Sequence, residues 1–137
     1  MIVILDTNVL LVSISSKSAD HPIFSSLIQG EYSIAVSTDI LLEYEEKIEE
    51  HMGKDVAGNT MKALLRSPFV YQIPIYYFWQ LLSKDPDDNK FTDCAVAANA
   101  DYLVTDDNDF KVLSLVDFPK IQIISKPDFL ALLEKLQ

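Results

Sequence analysis

The sequence predicts an α/β fold: a three-layer α/β/α sandwich around a mainly parallel sheet of about five strands. Short apolar runs recur at Ile2 to Leu5, Tyr32 to Val36, Val70 to Ile73, Tyr102 to Val104 and Ile121 to Ile124. Stretches with helical character separate them, and strands alternating with helices favour parallel pairing. The first run is apolar and largely β-branched at every position, as expected of a strand buried on both faces.

Taken in order, the first strand stops abruptly at Asp6-Thr7-Asn8, and Val9 to Ser16 begins a short helix ahead of a polar loop to His21. Pro22 suits the first turn of a helix running to Gln29, with Gly30 as its stop. Ser37 and Thr38 are good N-cap residues for a helix from Asp39 to Glu50, in which Ile40, Leu41, Tyr44 and Ile48 share one face. A further helix is expected from Val56 to Arg66. Phe69 to Trp79 is apolar and aromatic, but Pro74 limits the strand within it to Val70 to Ile73 and leaves the remainder as helix or loop. Asp88 to Asn99 reads as a helix whose Ala95, Ala97 and Ala98 allow close packing on a sheet. A short helix is expected from Phe110 to Leu115, and the last from Pro127 to Leu136. No repeat, low-complexity tract or linker interrupts residues 1–137, which read as one domain.

With 49% hydrophobic residues in 137, the chain is neither disordered nor too short for a sizeable core. No apolar run approaches the roughly 18 residues needed to cross a bilayer, and MIVILDTN lacks the basic region and cleavage site of a signal peptide. The single Cys94 cannot form an internal disulfide, and no Cys/His zinc pattern exists. A cytoplasmic protein without membrane contact is expected. A net charge of −10 argues against a nucleic-acid binder that relies on a basic surface. It leaves room for an enzyme whose bound metal ions reverse the local field.

The acids are unevenly placed. Eight of the 21 carboxylates (Asp85, Asp87, Asp88, Asp93, Asp101, Asp106, Asp107 and Asp109) fall between positions 85 and 109. Asp6 follows the first strand and Asp106/Asp107 follow the fourth; if those strands are neighbours, the acids converge where parallel α/β sheets bind ligands. Carboxylates forced together repel unless a cation neutralises them. Oxygen-only donor sets suit hard cations such as Mg²⁺ and Mn²⁺, which makes metal-dependent phosphoryl chemistry one reading and a structural charge network the other. Other motifs fail. Asp85-x-Asp87-x-Asn89 opens like a calcium-binding EF-hand loop, but Lys90 takes the required glycine position and Val96 the closing glutamate. Asp6-Thr7-Asn8 is similar to the strand-end nucleophile of haloacid-dehalogenase-like phosphatases, which needs a second Asp where Asn8 stands. No glycine-rich phosphate loop is present.

Together, ILDTNVL, STDILLEYEEKI, DPDDNKFTDCAVAANADYLVTDDNDF and a terminal strand and helix resemble the PIN-domain nucleases. More narrowly, they resemble the bacterial and archaeal toxin components of toxin–antitoxin pairs. The resemblance covers nearly the whole chain in order. It implies a Mg²⁺- or Mn²⁺-dependent endoribonuclease that hydrolyses RNA phosphodiester bonds to leave a 5′-phosphate. A protein antitoxin and a homodimer are the implied partners. Carried over residue by residue, it implies metal ligands at Asp6, Glu43, Asp88 and Asp107. Asn8 is implied to support Asp6 or the attacking water, Thr105 and Asp109 to support the acids, and Asp93 to be an additional acid.

Each residue has a plainer reading. Asp6 could cap the following helix, Asp87 could replace Asp88, and Asp106 could replace Asp107. Glu43 lies no nearer the apolar helix face than Glu45, so only the resemblance selects it. Asp85, Asp101, Asp117 and Asp128 read as loop or cap residues, His21 and His51 as surface, and Cys94 as buried and inert. Tyr71 and the run Tyr76 to Trp79 read as core, with a partner surface as the alternative. Lys84, Lys90 and Lys111 flank the acidic stretch as candidates for phosphate contact. Two other functions compete with the nuclease: an inactive PIN-like binding or scaffold domain, and a Mg²⁺-binding phosphoacceptor domain. The latter wants paired acids after strand one and an Asp after strand three, and this chain has neither.

Overall fold

The computed structural model describes residues 1–136. Strands β1 (Ile2–Leu5), β2 (Ser33–Val36), β3 (Val70–Gln72), β4 (Tyr102–Val104) and β5 (Ile123–Ile124) form one sheet in the order β3-β2-β1-β4-β5. Every pair is parallel. The connections are α1 (Thr7–Ser13), α2 (His21–Ile28), α3 (Thr38–Met52), α4 (Lys54–Arg66) and α5 (Asn89–Ala97), with α6 (Lys126–Leu136) closing the chain. Helix α2 packs on α1 and α6, while α3 packs on α4 and α5. Tight 3-10 turns occupy Pro86–Asp88 and Asn108–Leu115.

Sheet position explains strand composition. In central β1, Val3, Ile4 and Leu5 are wholly buried, as are Ile34, Ala35 and Val36 of β2. Each such Ile or Leu contributes roughly 1.5–3 kcal/mol by leaving water. Edge strand β3 needs no such run, and its Tyr71 and Gln72 are exposed.

Helix α3 starts where the Ser37 hydroxyl accepts the Ile40 N–H at 3.3 Å, and it buries Ile40, Tyr44 and Ile48 on one face. It ends at Gly53, whose φ of +90° lets α4 begin at once, two residues before the expected Val56. Residues 73–85 correct an expectation. They form no helix or strand, and Tyr76, Tyr77 and Phe78 are 88%, 64% and 64% exposed rather than core. Pro74 and the positive φ of Gln80 prevent a periodic face that could be buried. Side chains of α5 hold the segment instead. Asp93 accepts the Trp79 N–H at 3.0 Å, and Asn89 exchanges two hydrogen bonds with the Leu82 backbone at 2.9 and 3.0 Å. No helix among the described residues is long and apolar enough to cross a membrane.

Gly30 stops α2 at φ +81°, and a Cβ there would lie 2.4 Å from the Phe69 ring. Left-handed strain and overpacking act in the same direction, so Gly30→Ala is expected to destabilise the fold by about 2 kcal/mol or more. Urea unfolding should show a lower midpoint at unchanged slope; an unchanged midpoint would contradict this packing.

Candidate active site

In the parallel register of β1 and β4, Leu5 lies opposite Val104. The next residue of each strand, Asp6 and Thr105, therefore enters the same crevice at the carboxyl edge. This is where strand order reverses, since β1 is followed by β2 on one side and flanked by β4 on the other. The Asp6 N–H donates to the Val104 carbonyl at 3.0 Å, and the Thr105 hydroxyl donates to Asp6 Oδ2 at 2.7 Å. The Asp6 carboxylate makes no capping bond to α1. Its backbone carbonyl engages that helix, accepting from the Val9 and Leu10 N–H groups. Asp6 is 8% exposed. Burial raises its pKa; bonds from Thr105 and the Thr7 backbone oppose this, and the charges of Asp107 and Glu43 add to it.

Thr105 also organises the loop after β4. Its hydroxyl oxygen accepts the Asp107 N–H at 3.0 Å, and Asp107 Oδ1 accepts the Asp109 N–H at 2.9 Å to open the following 3-10 turn. Asp106 lines the same crevice but accepts the Lys126 N–H at 2.8 Å. Asp107, not Asp106, is the charge that Asp6 and Asp88 feel.

Glu43 is brought in by its neighbour. Fully buried Tyr44 donates its hydroxyl to the Leu5 carbonyl at 2.5 Å, fixing α3 against the end of β1. The Glu43 side chain is thereby held beside α1, where Oε2 accepts from the Thr7 hydroxyl and Oε1 from Lys90 Nζ at 2.9 Å. Its side chain is only 16% exposed, whereas Glu45 and Glu46 face solvent.

Asp88 ends the Pro86–Asp88 turn just before α5. Its Oδ2 is buried with no hydrogen-bond partner among the described residues, and its pKa is pushed up to about 7. Burial is the main cause, followed by the charges of Asp85, Asp6, Asp107 and Glu43. Asp6, Glu43, Asp88 and Asp107, drawn from four separate parts of the chain, thus share one electrostatic neighbourhood.

The other residues expected to support the acids stand in different surroundings. Asn8 is exposed on the crevice rim and makes no hydrogen bond to Asp6; the Thr105 hydroxyl does that. Asp93 is 4% exposed and carries none of the mutual repulsion linking the other acids, because its carboxylate is turned to the Trp79 backbone. Asp109 does more than support the loop. With Asp85 and Asp88 it forms a trio whose carboxylate oxygens lie within 4.8 Å of one another, closer than any three of the resemblance-derived quartet. Asp85 is expected from the sequence to be a loop residue. It is one, since it accepts the Asp87 N–H at 3.3 Å, but the i,i+3 spacing to Asp88 also puts both acids on one side of the turn.

The lysines flanking the acidic stretch are engaged with its acids or lie outside it. Lys90 bridges Glu43 and Asp87, at 2.9 and 3.1 Å, and Lys84 pairs with Asp109 at 3.3 Å. Lys111 is exposed on the 3-10 turn. His21 and His51 bond local carbonyls at 2.9 Å, and burial pushes the Cys94 thiol up to about 12.

Asp88 gives the metal-free protein a signed pH response. Its folded pKa of about 7 lies above the ordinary 3.8, so the folded state binds the proton more tightly than the unfolded chain. That contribution is fully present below the unfolded pKa and is lost as pH rises through the folded value. In chelator, melting temperature is expected to fall across that window. Asp88→Asn, which cannot ionise, should flatten the fall; an identical profile in the variant would refute the assignment.

Comparison with known proteins bears on the same elements. No curated protein matches the chain in sequence. Among solved structures, it resembles VapBC2 from Rickettsia felis, determined bound to a DNA fragment from their promoter. The match has a TM-score of 0.63 and 21% identity, over 91% of this chain and 98% of that one. It also resembles Mycobacterium tuberculosis VapC20, a toxin that cleaves the sarcin–ricin loop. Here the TM-score is 0.62 and identity 15%, over 85% of this chain and 98% of that one. At these identities the likeness is one of fold. The family model described as "PIN domain" matches residues 2–109, which span β1 to the acids after β4. The chain belongs to the PIN domain family.

Proposed function

We propose that the protein is a metal-dependent endoribonuclease, with Mg²⁺ or Mn²⁺ held by Asp6, Glu43, Asp88 and Asp107. The observation that carries this is the half-buried Asp88 carboxylate, crowded by other acids, whose Oδ2 is buried without a hydrogen-bond partner among the described residues. Such a group calls for a proton or a cation, and an all-oxygen donor set favours a hard divalent ion. Asp85 and Asp109, close to Asp88, extend the same donor set.

A divalent ion there would polarise the phosphodiester, lower the pKa of the attacking water and stabilise the departing 3′-oxygen. The chain's own residues set the geometry. The Thr105 hydroxyl orients Asp6, while Thr7 and Lys90 fix the two oxygens of Glu43, so both carboxylates are positioned before substrate arrives. Neither histidine joins the acids, and Lys90 is bound to two carboxylates. RNA is the proposed substrate. The likeness to a VapBC complex and to a loop-cleaving toxin supports reading the chain as a cytoplasmic toxin with a protein antitoxin. The exposed aromatic residues Tyr76, Tyr77 and Phe78 are a surface on which an antitoxin or a second copy could dock.

Asp6→Asn and Asp88→Asn should each abolish Mn²⁺-dependent cleavage of single-stranded RNA while leaving the fold intact by circular dichroism. Cleavage retained in both would remove the proposed site. Mn²⁺ should also raise the melting temperature of the unmodified protein, with a stabilisation approaching about 2.7 kcal/mol at a hundred times the dissociation constant. A melting shift without any cleavage would favour a metal-binding but inactive scaffold domain.

A further inference from the structure

Asp6 and Asp107 open into a crevice of about 290 Å³ between α1 and the loop after β4. A polyanionic substrate entering it meets three carboxylates, those of Asp6, Asp106 and Asp107, in a chain of net charge −10. Of the chain's eleven lysines and arginines, Lys126 is the one that lines this crevice. We propose that Lys126 binds a phosphate of the RNA backbone beside the scissile one, making the crevice the subsite that guides the strand onto the acids; this rests on the nuclease reading above.

Lys126 is unusually well placed for a surface lysine. It is the first residue of α6, and its N–H is held by Asp106 Oδ1 at 2.8 Å, one residue before Asp107. Its ammonium lies 3.0 Å from Asp20 Oδ2, and the side chain remains 25% exposed. An ammonium has three donors, so one carboxylate leaves capacity for a phosphate oxygen. Asp20 holds the ammonium in place before substrate arrives, which reduces the ordering cost of binding. On the opposite wall, exposed Asn8 offers an amide, and Val12, 40% exposed, offers an apolar surface against which a ribose or base can rest. None of the lysines flanking the acidic stretch lines this crevice: Lys90 is bound between Glu43 and Asp87, Lys84 is exposed beside a separate cavity and pairs with Asp109, and Lys111 is exposed on the 3-10 turn.

The competing role for Lys126 is a staple. Its ion pair with Asp20 joins α6 to the start of α2, and these helices pack together. The two roles differ in sign. A staple is broken equally by removing either partner, whereas removing Asp20 frees a phosphate-binding lysine.

The test is binding of a short fluorescein-labelled single-stranded RNA, followed by anisotropy in millimolar Mn²⁺ over a salt series. The cleavage-deficient Asp88→Asn chain is the background, since it also lacks one repelling charge. Adding Lys126→Gln should weaken binding and reduce the slope of log affinity against log salt by about 0.7, the loss of one phosphate contact to a single strand. Adding Lys126→Arg should keep the slope, and adding Asp20→Asn should strengthen binding or leave it unchanged. If Lys126→Gln leaves affinity and slope unaltered, or if Asp20→Asn weakens binding as much as Lys126→Gln does, the assignment is overturned and the pair is a staple. If the Asp88→Asn background binds no RNA and the unmodified chain cleaves none, the nuclease reading itself fails, and the lysine assignment with it.

Discussion

Everything at the candidate site depends on the parallel pairing of β1 with β4. That register sets Leu5 against Val104, so Asp6 and Thr105 emerge side by side at the carboxyl edge of the sheet. One threonine hydroxyl then links two acids, donating to Asp6 and accepting from the Asp107 backbone. The Leu5 carbonyl at the same edge receives the Tyr44 hydroxyl, which positions α3 and with it Glu43. A one-residue slip would send Asp6 and Thr105 to different places and separate the elements bonded to them, because side chains alternate faces along a strand.

The site is built against electrostatic resistance. Burial and mutual repulsion raise the pKa of both Asp6 and Asp88. Only part of the negative charge is answered within the chain: Lys90 neutralises the Glu43 and Asp87 side, and Lys84 the Asp109 side. Asp88 has no such partner. The apolar core under the crevice, with Phe91 and Phe110 in edge contact beneath α5 and the 3-10 turn, holds these charges in place against their repulsion. A surface acid network relaxes by moving its side chains apart, whereas acids fixed to strand ends and helix starts on a close-packed core cannot.

Polar anchoring also explains the segment between β3 and α5. It lacks a regular ladder of backbone bonds, so Asp93 and Asn89 of α5 supply partners for its N–H and carbonyl groups. The buried Asp93 therefore has a structural task within the helix that Asp88 precedes. Trp79 folds back onto Phe118 in an edge contact and stacks at a tilt with Tyr77, while the outer aromatic rings stay in water.

How much of this was legible in the sequence follows from the range of the forces involved. The strands, the helices and the parallel class are written locally, in apolar runs, caps and punctuation, and each element forms within a few residues of its expected bounds. The acids at strand ends were visible for the same reason, because Asp6 directly follows one apolar run and Asp107 lies three residues past another. Other features depend on contacts between distant residues and have no local signature. Glu43 is indistinguishable from Glu45 along α3 until Tyr44 docks on β1. Asp93 resembles Asp88 until one meets the Trp79 backbone and the other is left unpaired. The aromatic run looks like core until Pro74 and Gln80 deny it a periodic face, and Lys126 is far in sequence from Asp6 and Asp107 until the start of α6 meets the loop after β4. The sequence alone thus determined the elements and the chemical type of the candidate site, since burial and capping act over a few residues. Which acids meet, which lysine faces the crevice and which rings stay in water were decided by strand order and packing, which join groups up to a hundred or so residues apart, as in the bond between Asp6 and Thr105, 99 positions away.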